Sequence, residues 1–404
     1  MVSETPMIKE YSMVPLMLAA EGRSLEGNPS CIGAFNVNFR AQSDGIFEGA
    51  SRVGAPFIIQ VSRGARNFQG GVENISNMIR ESARGSDNLY SIHLDHGDVE
   101  GCIGCVTGGF GGVMIDVSER GDMENIAITN EIVKSAHKRG ISVESEYGEL
   151  AGVEEDIMRQ MTVYANPMSV PVFFGRSGCD ALAIAYGTSH GANKGNTEAL
   201  NVEIVKQSYG ALRNFGMNKN CFLVSHGSST VPEELIALVN KYGGTLKGAK
   251  GVPEPVLKKV IEYGIRKVNI DTDLRLGITG ETRKFFHERK GVEGSSVPLG
   301  LIHKVLFEDG VKSEKRVVNP GDIIDPRDYL KPVMALDGGL LREDYTQFED
   351  GDFAELMDKI KQRVAGHVEH LCRDVFGSEG LVERVDRSLT LEEMAKRYAK
   401  DSVF

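Results

Sequence analysis

Eight short apolar runs that alternate with amphipathic stretches constrain the fold of this 404-residue chain more than any other feature. The runs are Cys31–Phe35, Pro56–Val61, Leu89–Leu94, Gly112–Ile115, Ile141–Val143, Ala181–Tyr186, Cys221–Val224 and Lys267–Ile270. A short apolar run cannot be distinguished from a buried helix by periodicity alone, but regular alternation with helical stretches favours strands. A doubly wound sheet is the alternative, although no Gly-x-Gly-x-x-Gly segment follows the first run. We therefore predict an α/β fold, a (β/α)8 TIM barrel.

The remaining sequence lies before and after the predicted barrel. We expect a single domain over residues 1–404, with an N-terminal lead at about 1–30 and an insertion at about 290–322 after the eighth strand. A C-terminal extension at about 325–404 contains two helical stretches, Phe353–Phe376 and Leu391–Lys400. These helices either cover the barrel or extend toward a second subunit.

The composition argues against several classes of protein. A formal net charge of −11 is unfavourable for a nucleic-acid-binding surface. No apolar run approaches the roughly 18–20 residues of a membrane span, and the first residues do not have the pattern of a signal peptide. The six cysteines are scattered, and the Cys102-x-x-Cys105 pair lacks the second pair that a zinc knuckle needs. We interpret them as reduced thiols of a cytoplasmic protein.

Three histidines follow predicted strands and are candidate metal ligands. His96, His190 and His226 come at the ends of the third, sixth and seventh runs. The carboxyl ends of barrel strands meet at one mouth, and three imidazoles with an open position are a common catalytic zinc site. The alternative is three unrelated loop histidines. Because neighbouring strand residues point to opposite faces, we expect Asp95 to act as a general acid or base and not as a ligand.

Glycines and small polar residues at the last strand ends are typical of phosphate binding. They occupy 191–194, 227–229 and 271–273. Loops after the seventh and eighth strands of such barrels often hold phosphate through backbone N–H groups. A simple helix cap is the alternative for Ser228 and Ser229. Charged candidates for binding the anion are Lys194, Arg275 and Arg327.

Two further groups of residues have competing interpretations. The acidic run Glu154–Asp156 follows a glycine-flanked loop, and it is either solvated surface or part of a loop that closes on substrate and delivers a base. His367 and His370 share one face of a helix, which makes them a rival metal site, but no third ligand is obvious nearby.

Taken together, six segments resemble the class II, metal-dependent fructose-bisphosphate aldolases. They are Gly33–Asn38, His93–Asp98, Val143–Gly148, Gly187–Gly191, Val268–Arg275 and Asp325–Leu330. The resemblance implies a cytoplasmic homodimer or homotetramer of glycolysis and gluconeogenesis. It implies reversible cleavage of fructose 1,6-bisphosphate to dihydroxyacetone phosphate and glyceraldehyde 3-phosphate, with a catalytic Zn²⁺ that polarises the ketose carbonyl.

The resemblance also implies roles for single residues. The zinc ligands would be His96, His190 and His226, with Glu146 near the metal and able to support an alternative metal position. Asp95 would take the proton of the C4 hydroxyl, and Glu155, with Glu154 as the alternative, would exchange the proton at the triose-phosphate carbon.

Substrate contacts are implied in the same way. Asn269 and Asp271 would orient hydroxyls, and Asn36, Ser62 and Thr272 would also contact substrate. One phosphate, beside which the family commonly binds Na⁺ or K⁺, would be surrounded by Gly191, Lys194, Gly227 and Ser229. Arg275 and Arg327 would meet the other phosphate, and in the family the match of Arg327 comes from the neighbouring subunit.

Departures from the family pattern keep other functions open. The stretch 290–322 is longer than the usual link, and Ser118–Asp122 replaces the usual Ser-x-x-Pro-Phe run. The substrate could instead be another phosphorylated ketose: tagatose bisphosphate, a deoxy-ketogluconate phosphate or a sulfo-sugar phosphate. A metal-dependent hydrolase and a catalytically silent scaffold are the remaining alternatives.

Overall fold

Eight parallel strands form a closed barrel, and their order around the barrel follows their order along the chain. The computed structural model describes residues 9–149, 151–154, 157–159, 162–190, 200–313 and 316–401. The barrel strands are β1 (Ile32–Asn36), β2 (Phe57–Val61), β3 (Tyr90–Gly97), β4 (Gly112–Ile115), β5 (Ser142–Tyr147), β8 (Ala181–Ile184), β10 (Phe222–Ser225) and β11 (Ile265–Ile270). Each coincides with one of the apolar runs, so the predicted TIM barrel is confirmed. Strands of a parallel barrel are buried on both faces, which is why they are continuous apolar runs.

Helices connect the barrel strands, and further helices precede and follow them along the chain. They are α1 (Met13–Leu25), α2 (Arg40–Arg52), α3 (Arg63–Gln69), α4 (Val72–Arg84), α5 (Val99–Thr107), α6 (Asp122–His137), α7 (Val170–Ser177), α8 (Val202–Asn214), α9 (Glu233–Lys241), α10 (Glu254–Glu262), α11 (Thr272–Glu288), α12 (Val297–His303), α13 (Pro326–Leu336), α14 (Gly351–His370) and α15 (Leu391–Asp401). Within the described ranges, no helix has the length and apolar character needed to cross a membrane.

Two barrel strands extend at least three residues further than the sequence indicated. β3 continues beyond Leu94 to Gly97, and β5 continues beyond Val143 to Tyr147. The pairing of β3 with β4 shifts register between Leu94 and Gly97. His96 lies within that irregularity with a φ of 47°, which is uncommon for a residue other than glycine. Such bulges change the direction of side chains near active sites.

A small second sheet, absent from the prediction, lies next to the barrel mouth. Its strands are β6 (Ala151–Glu154), β7 (Ile157–Arg159) and β9 (Ser189–His190). β6 pairs antiparallel with β7 and parallel with β9, so the backbone of Gly152 lies beside that of His190. β6, which ends at Glu154, is therefore positioned against the segment that contains a candidate ligand.

The C-terminal extension covers the barrel through α14. A Cβ atom placed on Gly45 of α2 would lie 2.6 Å from the carbonyl oxygen of Lys361, and one on Gly49 would lie 2.3 Å from that of Ala365. These two glycines therefore allow the backbones of α2 and α14 to approach closely. Of the two alternatives for the C-terminal helices, the structure shows that α14 covers the barrel.

The stretch predicted to be an insertion, at about 290–322, contains regular structure. Within it α12 is followed by a hairpin of β12 (Val311–Lys312) and β13 (Val317–Val318). Asp325 follows this stretch, and its carboxylate accepts the backbone N–H of Arg327 at 2.9 Å and caps α13.

Candidate active site

Two of the three candidate histidine ligands meet at the barrel mouth. Nε2 of His96, in β3, lies 2.9 Å from Nδ1 of His226, which follows β10. The other ring nitrogen of each histidine is next to a carboxylate: Asp116 at 2.8 Å for His96 and Glu144 at 2.7 Å for His226. When each ring donates its proton to that carboxylate, the two facing nitrogens both carry lone pairs, which is the arrangement expected of metal-ligating histidines.

Carboxylates complete a donor set of nitrogen and oxygen atoms around this point. Ligand atoms of Asp95, His96 and His226 lie within 4.8 Å of one another, as do those of His96, Asp116 and Glu146. Imidazole and carboxylate donors suit zinc and related divalent ions. The residues present therefore fit the metal that the sequence pattern implied. His190 lies in β9, but its side chain is outside the described part of the structure.

The orientation predicted for Asp95 is wrong. Strict alternation along a strand placed this carboxylate on the face away from His96, whereas both contribute to the same group of candidate ligand atoms. The register shift between Leu94 and Gly97, with the positive φ of His96, interrupts the alternation.

A buried ionic cluster supports His226 from inside the barrel. Oε2 of Glu144 lies 2.8 Å from Nζ of Lys267 and 3.6 Å from Nε2 of His93, and all three side chains are fully buried. Burial lowers the pKa of the His226 imidazole well below its usual range, and the neighbouring His96 and Lys267 lower it further. The ring is therefore held neutral, as a metal ligand must be.

Sequence reasoning missed Asp116, Glu144 and Lys267 as parts of this site. Asp116 directly follows the fourth apolar run and Lys267 is the first residue of the last one, but neither position alone indicates a role in the site. The sequence did contain a signal that could have found two of them, since charged residues are almost never fully buried unless they are paired. A lysine and a glutamate in or next to apolar barrel strands indicate a buried ion pair.

Replacing Glu144 with glutamine is expected to weaken metal binding about 10- to 100-fold, since carboxylates that orient ligating histidines contribute this much to affinity. The glutamine would still accept from His226, but it would leave the charge of Lys267 unbalanced in a buried position. Competition for Zn²⁺ with a chelator of known affinity measures the effect.

The matched control for this change is Glu21→Gln. Glu21 is also a buried carboxylate, 3% exposed, and it accepts from Nε of Arg266 at 2.6 Å in a pairing that shares no residue with the candidate metal groups. We expect this control to lower stability without changing zinc affinity. Equal zinc affinity for Glu144→Gln and the unmodified protein would contradict the proposed role of Glu144.

The carboxylate of Asp95 is held between two amide groups. Nδ2 of Asn36 donates to Oδ2 at 2.8 Å, and Nδ2 of Asn269 donates to Oδ1 at 3.2 Å. Gln60 in turn donates to the side-chain oxygen of Asn36 at 3.0 Å. The buried Oδ1 of Asn269 accepts no hydrogen bond from the described residues. The structure thus brings three predicted site residues together and leaves an acceptor available for a hydroxyl group.

Two arginines meet around one aspartate at the end of β11. Asp325 accepts from Nη1 of Arg275 at 2.9 Å and from Nη2 of Arg327 at 2.8 Å. Burial would raise the pKa of Asp325, but the charges of Arg275 and Arg327 outweigh it and hold that pKa far below its usual range. Arg275 also forms a bidentate ion pair with Asp271, at 2.8 and 2.6 Å. The family pattern takes the match of Arg327 from a neighbouring subunit, whereas here Arg327 lies beside Arg275 within one chain.

The predicted phosphate loop has a more specific structure than a helix cap. Oγ of Ser229 accepts the backbone N–H groups of Asp271 and Thr272, both at 3.1 Å, so it binds the start of α11 and not that of its own helix α9. Gly227 has a φ of 57°, and a Cβ there would lie 2.6 Å from the carbonyl oxygen of Ser189. Only glycine fits this close approach. Ser62, at the second strand end, accepts the N–H of Ala65 and caps α3.

Several predicted site residues lie wholly or partly outside the described part of the structure. Glu155, Gly191 and Lys194 lie outside the described residues, as does the side chain of Glu154. The rival metal site is not supported by the described residues: His367 contacts Asp273 at 3.4 Å, whereas His370 contacts Glu254 at 2.7 Å. Each histidine thus has its own carboxylate partner on a different element, and neither belongs to a candidate metal group.

Comparison with known proteins agrees with this geometry. The family model described as fructose-bisphosphate aldolase class-II matches residues 23–380. A fructose-bisphosphate aldolase of a Nostoc species is 33% identical over 380 residues, covering 87% of this chain and 93% of that protein. One from Giardia intestinalis is 38% identical over 258 residues, covering 64% and 78%.

Solved structures show the same fold. The crystal structure of a fructose-bisphosphate aldolase from Campylobacter jejuni matches with a TM-score of 0.59 and 19% identity, covering 92% of this chain and 96% of that one. The YdjI aldolase from Escherichia coli K12 matches with a TM-score of 0.58 and 21% identity, covering 90% and 97%. From the match over residues 23–380 and the relatives aligned along most of its length, we conclude that this chain belongs to the class II fructose-bisphosphate aldolases, a metal-dependent family of carbon–carbon lyases.

Proposed function

We propose that the protein is a zinc-dependent aldolase that reversibly cleaves fructose 1,6-bisphosphate to dihydroxyacetone phosphate and glyceraldehyde 3-phosphate, in glycolysis and gluconeogenesis. The observation that carries the proposal is the convergence of Asp95, His96 and His226 within 4.8 Å of one another. A site with two imidazoles, an acid/base carboxylate and an adjacent anion-binding pair suits a phosphorylated sugar better than a simple hydrolytic substrate.

β11 connects the two halves of the proposed substrate site. Asn269 donates to Asp95 beside the metal ligands, and Asp271, two residues further along, pairs with Arg275. Because Asp271 directly follows the last residue of β11, Asp95 and Arg275 are both bound by residues at the carboxyl end of this strand. A sugar chain bound along this edge would have its reacting carbons at Asn269 and its terminal phosphate at Arg275 and Arg327.

Bond cleavage needs a proton acceptor at the C4 hydroxyl. A divalent ion held by His96, His190 and His226, with Glu146 nearby, would polarise the ketose carbonyl and stabilise the negative charge that develops. Asp95 takes the hydroxyl proton during cleavage and returns it during condensation. Asn36 and Asn269 keep its two oxygens in position.

The remaining proposed roles follow the family pattern. Glu155, or Glu154 in its place, exchanges the proton at the triose-phosphate carbon. The phosphate at the other end of that triose lies against Gly191, Lys194, Gly227 and Ser229, beside a Na⁺ or K⁺ ion. We propose further that the chain forms one domain, acts as a homodimer or homotetramer, and is cytoplasmic, where its six free cysteines would stay reduced.

A coupled cleavage assay across several phosphorylated ketoses tests the proposal, with metal content measured on the same sample. We expect the highest kcat/KM for fructose 1,6-bisphosphate and loss of activity with a zinc chelator. Faster cleavage of tagatose bisphosphate, a deoxy-ketogluconate phosphate or a sulfo-sugar phosphate would reassign the substrate. Cleavage that persists without metal, or hydrolysis with no triose phosphate formed, would refute the proposal.

Arg327→Ala is expected to raise KM for fructose 1,6-bisphosphate by about 30-fold or more, because removing one partner of a buried charge pair costs at least 2 kcal/mol. For a ketose that carries only the phosphate proposed to bind at Gly227 and Ser229, KM should rise much less. The control is Arg316→Ala, an exposed arginine that pairs with Asp328 at 3.0 Å nearby. If both variants cleave the bisphosphate like the unmodified protein, the second phosphate does not bind at Arg327.

A further inference from the structure

One residue in the loop between β10 and α9 adopts a strained backbone conformation. Val231 has a φ of 49°, and only His96 shares a positive φ among the described residues other than glycine. For a β-branched residue this conformation is a genuine outlier that costs of order 1–3 kcal/mol. Such strain persists only where the surrounding structure enforces it. Val231 lies two residues after Ser229, in the loop proposed to bind phosphate.

The carboxylate of Asp273 enforces this conformation. It accepts the backbone N–H of Val231 at 2.7 Å, the backbone N–H of Thr230 at 2.8 Å and the hydroxyl of Thr230 at 2.9 Å. The Asp273 side chain is fully buried. Burial would raise the pKa of Asp273, but hydrogen bonds from His367, Val231 and Thr230 outweigh it and lower that pKa. The group is thus an ionised acceptor for the loop.

Two further contacts fix the loop from other sides. Nε2 of His367, on α14, lies 3.4 Å from Oδ2 of Asp273, which connects the C-terminal helix to the loop. On the opposite side, a Cβ on Gly251 would lie 2.2 Å from the carbonyl carbon of Thr230. The N–H of Val252 donates to the carbonyl oxygen of Ser229 at 3.0 Å. Little room remains for the loop to take another conformation while Asp273 is in place.

We infer that Asp273 is a positioning residue, which holds residues 228–231 in a strained conformation that presents Gly227 and Ser229 to the substrate phosphate, with His367 supporting its carboxylate. This inference rests on the proposed function. Asp273 itself does not contact substrate. Its contribution is to keep Val231 strained, since relaxation of that residue would move Ser229 away from the N–H groups of Asp271 and Thr272.

The direct test is Asp273→Asn. Asparagine has the same shape, but its amide nitrogen would face backbone N–H donors that now bind a carboxylate oxygen. We expect KM for fructose 1,6-bisphosphate to rise about 10- to 100-fold, the range for losing hydrogen bonds to a charged group. We expect kcat to fall by less than about threefold. The inhibition constant of inorganic phosphate should rise in parallel with KM, and zinc content should not change.

A second substitution separates positioning from a general loss of stability. Glycine adopts positive φ without penalty, so Val231→Gly should remove the strain that Asp273 now balances. In the double variant Asp273→Asn/Val231→Gly, we expect KM to return at least halfway, on a logarithmic scale, to that of the Val231→Gly single variant. If Asp273→Asn does not fold, KM and the inhibition constant of inorganic phosphate are measured instead for the double variant and for His367→Leu. His367→Gln, which keeps a donor, should behave like the unmodified protein.

Asp180→Asn is the matched control at the other end of the barrel. Asp180 is 5% exposed, precedes β8, accepts the N–H of Val143 at 2.8 Å and contacts His137 at 2.9 Å. Asp180 is thus, like Asp273, a buried carboxylate that accepts a backbone N–H and contacts a histidine. Asp180→Asn should therefore lower the free energy of unfolding by a similar amount, while KM and phosphate inhibition remain unchanged.

The possible failures are distinguishable. Unchanged KM and phosphate inhibition in Asp273→Asn, or equal changes in Asp180→Asn, would overturn the inference and leave the proposed function intact. If the unmodified protein cleaves no phosphorylated ketose, the proposed function fails. Calorimetric titration of inorganic phosphate into the zinc-loaded protein and the Asp273→Asn variant would then decide the inference alone, and equal affinities would refute it.

Discussion

Replacing His226 with alanine is expected to lower kcat/KM for fructose 1,6-bisphosphate cleavage by about 1,000-fold or more and to empty the metal site. The side chain is 1% exposed, and its Nδ1 lies 2.9 Å from Nε2 of His96, so no other described residue can take its place between His96 and Glu144. Charge stabilisation by a bound metal contributes several kcal/mol to such reactions, and about 4 kcal/mol corresponds to this factor. The measurements are metal content after purification and the coupled cleavage assay.

The control for this prediction is another histidine paired with a carboxylate, far from the candidate site. Nε2 of His137 lies 2.9 Å from Asp180, and its ring stacks on Tyr398 at 3.6 Å between ring centres. We expect His137→Ala to lower the melting temperature while zinc content and kcat/KM remain as in the unmodified protein. A His226→Ala protein with full zinc content and normal cleavage would show that the metal is bound elsewhere.

The barrel could be predicted because its strands are buried on both faces. Continuous apolar runs such as Phe57–Val61 therefore coincide with the strands. The same reasoning fails at the mouth, where β3 and β5 continue into polar residues. Glu144 and Glu146 are part of β5, but hydrophobicity alone ends that strand at Val143. The prediction of strand ends is weakest where polar side chains line a site.

The pairings within the site could not be predicted from the sequence. Glu144 lies next to both His226 and Lys267 because three separate strands converge, and no local pattern specifies which buried charges meet. Ser229 illustrates the same difficulty, since its hydroxyl binds the start of α11, more than 40 residues away in sequence. Local caps and strand ends identify candidate residues, whereas their partners depend on the closed barrel.

The structure permits two roles for Asp95. As the base for the C4 hydroxyl, its loss would slow cleavage about 10²- to 10⁴-fold. However, its carboxylate also lies within 4.8 Å of the ring nitrogens of His96 and His226, where it could bind metal instead. Asp95→Asn distinguishes the roles because proton exchange at the triose-phosphate carbon uses a different base in the proposed mechanism.

We expect the Asp95→Asn variant to retain zinc and to exchange the C3 proton of dihydroxyacetone phosphate with solvent at nearly the normal rate. Its rate of cleavage should fall about 10²- to 10⁴-fold. Asp98→Asn, which alters the cap of α5 where Asp98 accepts the N–H of Gly101 at 2.7 Å, is the control in the same segment and should cleave normally. A parallel loss of zinc, exchange and cleavage in Asp95→Asn would instead make Asp95 a metal ligand. The proton of the C4 hydroxyl would then have to be taken by another group, because a carboxylate that binds the metal through its lone pairs is a weaker base.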